Sequence, residues 1–294
     1  MELRLLATFE KVADVLSFTR AATELGYAQS SVTAQIRSLE SALGVDLFER
    51  LGSRIRLTEA GERLLPYARR MRDLAEEART AVAATAEPSG PIAIGTMESL
   101  TSYRLPPLLE YFHHRYPGVR LTLRPTLGDE TRKALRQGTY DVGFLMEPET
   151  EHEGLETEVL APEPLALVAA PGHPLATRTS LTNADLADAR ALGTEPGCSY
   201  RDLFEAELRE WAPPFMEFGT IEATKRGAAA GLGVALLPKV TVTEELTSGT
   251  LVELPWKAPF TLFTQLAWRR GKRLPAHVRL FVEQARRLVS EQRG

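Results

Sequence analysis

The chain of 294 residues has a single cysteine, Cys198. That excludes an intrachain disulfide framework and a cysteine-based zinc site, and it suits a reducing compartment. No apolar run approaches the ~20 residues of a membrane span. The start, Met1-Glu2-Leu3-Arg4, has no basic lead into an apolar core and no small-residue cleavage site, so no secretory signal is read and a cytoplasmic location is expected. Excess positive charge is missing too. The net charge is −4, which gives the molecule as a whole no strong pull on nucleic acid or anionic membrane. Internal repeats and low-complexity segments are absent.

What is present is ordinary globular composition, 44% hydrophobic and 25% charged, with length for about two domains of ~100–200 residues. Net charge hides distribution. From Arg50 to Arg72 there are seven Arg and two Glu, a local +5. Such a stripe reads either as a solvated helix face or as a gathering of cations toward a polyanion.

The first 87 residues are rich in Ala, Leu, Arg and Glu, which favours helix. Leu3, Leu6, Phe9 and Val12 step by three along an amphipathic helix. Ser17 caps a second helix with Phe18, Ala21, Ala22 and Leu25 inward, and Gly26 stops it. A third helix, about Gln29 to Leu43, carries Val32, Ile36, Leu39 and Leu43 on one face and ends at Gly44. Two short helices about a tight turn form a helix-turn-helix pattern, with a generic trihelical bundle as the alternative. Two extended pieces, 45–50 and 54–57, flank Leu51-Gly52-Ser53 as a hairpin. Thr58 caps a long helix, about 59–86, interrupted by Pro66. Its residues Leu64, Ala68, Met71, Ala75, Ala78 and Val82 form a seam of coiled-coil spacing. That seam implies a partner helix from a second chain or packing on its own domain.

Glu87-Pro88-Ser89-Gly90-Pro91 is a break. Beyond it, strands and helices alternate: 92–95, 104–116, 119–123, 131–137 and 140–146 read as β-α-β-α-β, which predicts a parallel α/β sheet. Strands at 165–170, 234–237 and 261–268 and helices near 183–188, 199–210, 221–230 and 275–292 follow.

This ordered set resembles the LysR-type transcriptional regulators. The matching residues are Phe9 and Val12, Ser17-Phe18, Ala21-Ala22-x-x-Leu25, Gln29, Ile36, Leu39-Glu40, Leu43-Gly44, Leu47-Phe48-x-Arg50 and Leu57-Thr58-x-Ala60-Gly61. Leu105-Pro106, Leu135-x-x-Gly138-x-x-Asp141, His173-Pro174-Leu175 and the run from Ala230 to Pro238 extend the resemblance over essentially the whole chain. The resemblance implies an α/β protein with an N-terminal winged helix-turn-helix, a long linker helix and a two-lobed α/β effector domain resembling type 2 periplasmic binding proteins. The expected divisions are a DNA-binding domain over 1–58, a dimerising linker helix over 59–87, a hinge at 88–90 and an effector domain over 91–294. Lobe I would hold 91–162 plus 266–294 and lobe II 163–265, with crossings near Ala161–Pro164 and Phe263–Leu266.

A recognition helix enters the major groove with its N-terminal residues at base edges. Gln29, Ser30, Ser31 and Thr33 stand there, and Arg37, a turn further on, suits phosphate. Ser30 and Ser31 have capping as their alternative, because Ala28 stands where the family often has a hydroxyl; Ser30 would then shift the helix start. The hairpin is expected to act as a wing, with Arg54 and Arg56 reaching the backbone or minor groove and Arg50 beside them. Partners implied by the resemblance are double-stranded DNA at interrupted palindromes, a second copy through the linker helix, a tetramer of such dimers, and RNA polymerase as a further contact.

The resemblance also places a small-molecule co-inducer between the lobes. Ser99, Leu100 and Thr101, then Gly128 and Asp129, then Cys198, Ser199, Tyr200 and Arg201 opposite Thr220 and Ile221 are expected to line the cleft. Hydroxyls and helix N-terminal N–H groups there suit a carboxylate, and Arg201 would add a cation. The alternatives are that Ser99 and Ser199 cap helices and that Arg201 makes a salt bridge. Cys198 lies near the sensing cysteine of the peroxide-responsive members, yet no second cysteine exists to resolve a sulfenic acid. A buried small residue is the plainer reading.

No cofactor or metal is expected. His113-His114 diverge by about 100° on a helix. Gly231-Leu232-Gly233 follows a helix rather than a strand, and Gly197-Cys198-Ser199-Tyr200-Arg201 lacks the last glycine of a nucleophile elbow. An enzyme is therefore not expected. A solute-binding protein would not need the first 87 residues.

Overall fold

The computed structural model describes residues 2–51, 54–82, 87–211 and 213–291. It divides into two compact units. The first holds residues 1–87 with the short segments 137–139 and 273–276, and the second holds the rest.

In the first unit, α1 (Leu3–Val15), α2 (Phe18–Leu25) and α3 (Gln29–Leu43) pack about Phe9, Val12, Ala21, Val32, Ile36 and Leu39. These are the residues that the spacing of three and four turns inward. The Ser17 hydroxyl accepts from the Arg20 N–H at 3.2 Å, capping α2. Strands β1 (Phe48–Leu51) and β2 (Arg54–Leu57) form an antiparallel ladder pairing Phe48 with Leu57 and Glu49 with Arg56. Gly52 and Ser53, expected in the wing turn, lie outside the described residues.

Two motif residues hold the hairpin in place. The Glu40 carboxylate, late in α3, accepts from the N–H groups of Leu47 at 2.9 Å and Phe48 at 3.3 Å. The Thr58 hydroxyl donates to the Asp46 carbonyl at 2.7 Å and accepts from the Gly61 N–H at 3.1 Å, capping α4 (Glu59–Val82). A Cβ on Gly61 would lie 2.3 Å from the Leu47 carbonyl oxygen, so only glycine allows that helix to pass so close.

The expected seam of α4 is split between two faces. Ala68 is buried in the first unit's own core, and Leu64 packs against it. Tyr67, Met71 and Leu74 are 57%, 38% and 64% exposed. Ion pairs tie α4 to α1: Arg69 meets Asp14 at 2.7 Å and Glu10 at 3.7 Å, and Arg72 meets Glu10. Residues 83–86, expected to continue the linker helix, lie outside the described residues.

The second unit holds two five-stranded sheets. Strand β3 (Gly90–Thr96), a π-helical turn (Leu100–Arg104), α5 (Pro106–Arg115), β4 (Val119–Pro125), α6 (Gly128–Gln137), β5 (Val142–Glu147) and β6 (Leu155–Glu163) follow in order. Next come β7 (Leu165–Ala169), β8 (Ala191–Gly193), α7 (Ser199–Glu207), β9 (Phe215–Glu217), α8 (Ile221–Ala229), β10 (Val234–Pro238), α9 (Thr243–Ser248), β11 (Val252–Glu253), β12 (Leu262–Arg269) and α10 (Ala276–Glu291). The first sheet runs β4-β3-β5-β12-β6 and the second β11-β7-β10-β8-β9. Residues 183–188 form only a short 3-10 turn, Asn183–Leu186.

The sheet is mixed where a parallel one is predicted. β3 pairs in parallel with β4 and β5, while β12 runs antiparallel to both β5 and β6. The long β6, absent from the sequence reading, is the edge strand beside β12. The chain leaves the first sheet after Glu163 and returns at Leu262, and those two residues face each other in the ladder. The return crossing therefore lies before Leu262 rather than in 263–266, because all of β12 is hydrogen-bonded into the first sheet. Other motif residues do local work. The Asp141 carboxylate accepts from the Ala93 N–H and from Lys272 Nζ, each at 2.8 Å, and His173 Nδ1 accepts from the Leu175 N–H. A Cβ on Gly233 would lie 2.1 Å from the Arg190 carbonyl oxygen and Gly231 has a φ of +77°, which accounts for the glycine pair without a nucleotide.

Candidate functional site

Two surfaces collect the expected functional residues. The first is the outer face of α3, where Gln29, Ser30, Thr33 and Arg37 line one shallow open surface with Ala34 and Ser38. The buried residues Val32, Ile36 and Leu39 take the opposite side. Ser31 is exposed but does not line this face. The helix starts at Gln29 behind Ala28, with no side-chain cap, so Ser30 does not shift the start and its hydroxyl is not used as a cap. The Thr33 hydroxyl donates back to the Gln29 carbonyl at 3.0 Å and keeps its acceptor capacity.

On the hairpin, Arg56 is exposed and pairs with Glu49 across the ladder. Arg50 stands opposite Ile55 and Arg54 opposite Leu51 in the register; the side chains of Arg50 and Arg54 lie outside the described part of the structure. The +5 stripe is not a bare cationic edge. Arg63 pairs with Glu59, Arg69 with Asp14 and Glu10, and Arg72 with Glu10. Glu59 is within the local count, but Asp14 and Glu10 lie 55 and 62 residues away in sequence, so that count does not register their share of the neutralisation.

The second surface is a cavity of about 370 Å³ in the second unit, within the ordinary range for a small-molecule site. It opens where β3, β4, β8 and β9 end, the place where ligands bind in open α/β sheets. Of the expected residues, Ser99, Cys198, Tyr200 and Ile221 line it. The others do not. Leu100 is fully buried in the π-helical turn, and the Thr101 hydroxyl donates to the Met97 carbonyl. Gly128 opens α6, and Asp129 is exposed and pairs with Arg132. Ser199 opens α7 without capping it. The Thr220 hydroxyl is taken as the cap of α8, accepting from the Ala223 N–H at 3.2 Å.

Arg201 departs furthest from expectation. Its guanidinium donates to the Thr194 carbonyl, to Glu217 at 3.1 Å and to Glu205 at 3.2 Å, and lies over the Phe215 ring. It is buried in the second sheet's surroundings and contributes no cation to the cavity. The salt-bridge alternative is the one realised, in buried form.

Sequence reasoning missed Met97, Glu98, Thr126, Leu127, Glu130 and Glu195, all on the lining. Each lies within four residues of one that was singled out, so the loops were found but the inward-facing positions were not. Glu98 Oε2 accepts from the Ile221 N–H at 3.3 Å, linking the π-helical turn to the start of α8. Burial holds the Cys198 thiol above its ordinary pKa and the Tyr200 phenol well above its own, so both are neutral near pH 7. The Ser99 hydroxyl is buried with no hydrogen-bond partner. Among the described residues no group of three or more His, Cys, Asp or Glu is placed to hold a metal. No helix among them is long and apolar enough to cross a membrane.

Comparison with known proteins bears on both surfaces. Residues 3–62 match the family described as "Bacterial regulatory helix-turn-helix protein, lysR family", and residues 85–290 match "LysR substrate binding domain". The chain belongs to the LysR family of transcriptional regulators. It is 41% identical over 290 residues to the HTH-type transcriptional regulator YwqM of Bacillus subtilis (strain 168), covering 98% of this chain and 99% of that one. Full-length OxyR of Pseudomonas aeruginosa superposes with a TM-score of 0.79 at 26% identity, over 98% of this chain and 94% of that one. CbnR in complex with its target DNA superposes with a TM-score of 0.63, also at 26% identity, over 98% and 99%. This LysR regulator thus combines a DNA-binding helix-turn-helix domain with an effector-binding α/β domain, and regulators of its family bind DNA, form oligomers and respond to small-molecule effectors.

Proposed function

We propose that α3 reads base edges in the major groove through Gln29, Ser30 and Thr33, with Ser31 at its rim and Arg37 on phosphate. The hairpin wing adds Arg54 and Arg56, flanked by Arg50. The observation that carries this is the exposed polar face of α3 backed by the buried Val32, Ile36 and Leu39, with the Glu40 carboxylate holding the wing at a set position beside it. Residues 1–58 form the reading domain, 59–87 the linker, 88–90 the hinge, and the effector domain follows with lobe II running from Pro164 to about 261.

The exposed residues Tyr67, Met71 and Leu74 step by four and three. That spacing is a coiled-coil seam, and its occupant is the same helix of a second copy. A two-fold pair of α3 helices then suits two half-sites about one helical turn apart. Ligand in the interlobe cavity changes DNA occupancy or bend only by favouring one lobe arrangement over another, and the Glu98–Ile221 contact is a bond that such a change breaks or makes. Further assembly to a tetramer and contact with RNA polymerase are part of this reading.

The test combines footprinting, salt titration and mass measurement. Gln29→Ala relaxes base preference at one position of each half-site, a loss of about 1–3 kcal/mol of discrimination. Arg56→Ala weakens all sites and lowers the salt slope by about one. Leu74→Lys yields a monomer by light scattering. Unchanged footprints in both DNA variants together with an unchanged mass for Leu74→Lys would sink the assignment.

A further inference from the structure

We propose that the interlobe cavity takes a small organic cation: an ammonium or guanidinium group on a short aliphatic body. This rests on the cavity being the effector site. Glu98, Glu130 and Glu195 line it, and no Lys, Arg or His does. The nearby cations are committed elsewhere. Arg201 is bound by Thr194, Glu205 and Glu217, Arg132 pairs with Asp129 and Glu147, and Lys225 meets Glu245 at 2.6 Å and Glu222 at 3.3 Å.

The places that ordinarily attract an anion are occupied by the chain's own acids. The first N–H of α8, on Ile221, is held by the Glu98 carboxylate, and the first turn of α6 carries Asp129 and Glu130. A carboxylate ligand would meet three like charges and no counter-ion, which reverses the expectation drawn from Ser99, Ser199 and Arg201.

Independent evidence for a ligand comes from polar atoms with nothing to bond. The Ser99 hydroxyl is 2% exposed, lines the cavity and has no partner. Glu195 Oε2 is buried and likewise has none. A native protein leaves few such groups. An ionised carboxylate only accepts, so the group that satisfies it is one made of donors: three on an ammonium, five on a guanidinium. Met97, Leu127 and Ile221 supply apolar wall for the aliphatic part.

The experiment uses the full chain with four probes of similar length: cadaverine, agmatine, glutarate and 1,5-pentanediol, read by calorimetry and thermal shift. A cation binds saturably, while glutarate and the diol do not. Glu130→Gln and Glu195→Gln each weaken that binding at least tenfold. Without ligand, Glu195→Gln melts no lower than the parent, because the buried Oε2 has no hydrogen-bond partner to lose; that unchanged stability separates lost recognition from misfolding. Glutarate binding with both cations silent overturns the charge assignment and leaves the effector reading standing. Cation binding that survives both substitutions, or silence of all four probes, also overturns the assignment. The effector reading fails separately, if a small-molecule extract of the source cells leaves the DNA footprint of the full chain unchanged.

Discussion

A buried ion pair ties the π-helical turn to the end of the first strand that joins the lobes, and breaking it should be costly. Arg104, at the end of the π-helical turn that starts beside Ser99, donates to Glu163 through Nη2 at 2.9 Å and Nε at 3.2 Å. The two side chains are 10% and 0% exposed. The Thr264 hydroxyl, on the returning strand β12, adds a third hydrogen bond at 2.9 Å. Among the described residues, Arg104→Met leaves the buried carboxylate with the Thr264 donor alone, a loss of about 3–5 kcal/mol. Adding Glu163→Leu removes the stranded charge, and the double variant should recover most of the loss. Urea unfolding followed by tryptophan fluorescence reports this domain selectively, since Trp211, Trp256 and Trp268 all lie in the second unit. With a slope of about 3 kcal/mol/M, a loss of 4 kcal/mol lowers the midpoint by about 1.3 M. A shift below about 0.3 M for Arg104→Met, or a double variant no more stable than the single, would refute the reasoning.

Two further predictions follow from titrating groups. The Asp185 carboxylate accepts from the N–H and hydroxyl of Thr182 and from Arg178, which lowers its pKa from the ordinary 3.8 to about 2. Its folded pKa is depressed, so its stabilisation is present above pH 3.8 and is lost as pH falls toward 2. Carboxyl NMR should find the midpoint near 2, and Asp185→Asn should flatten that part of the acid-unfolding profile; an ordinary midpoint contradicts the hydrogen-bond set. Burial raises the Cys198 pKa, so at pH 8 the native thiol should react with a disulfide reagent on the order of a hundredfold more slowly than in urea. Equal rates would show that the thiol is open to solvent.

Much of the first unit was legible in the sequence because its signals are local. Ser17 and Thr58 cap by bonding N–H groups three residues on, and Phe9, Val12, Val32, Ile36 and Leu39 fall on the buried face by helical period alone. The linker stripe was harder. Periodicity marks apolar positions, yet Ala68 turns to the domain's own core while Tyr67, Met71 and Leu74 turn outward. A set at one spacing does not say which of its members meets which neighbour. In the second unit β6 went unread, because Leu-Glu-Thr-Glu-Val-Leu-Ala-Pro-Glu keeps no regular apolar alternation and carries a proline. The second crossing was misplaced for a different reason: the strand β12 was visible, but the sheet it joins is set by pairing with β5 and β6.

By itself the sequence determined the elements of the DNA-reading unit, the break near Pro88 and the loops that border the cavity, since caps, turns and apolar period are written within a few residues of where they act. The direction of the charges was decided by the tertiary structure alone. Arg69 and Arg72 meet Glu10 and Asp14 from another helix, Arg201 turns into its own lobe, and Glu98, Glu130 and Glu195 come together from three separate segments of the chain. A Coulombic partner is a neighbour in space. Which carboxylates remain to face a ligand is therefore fixed only when strands remote in sequence end at the same place.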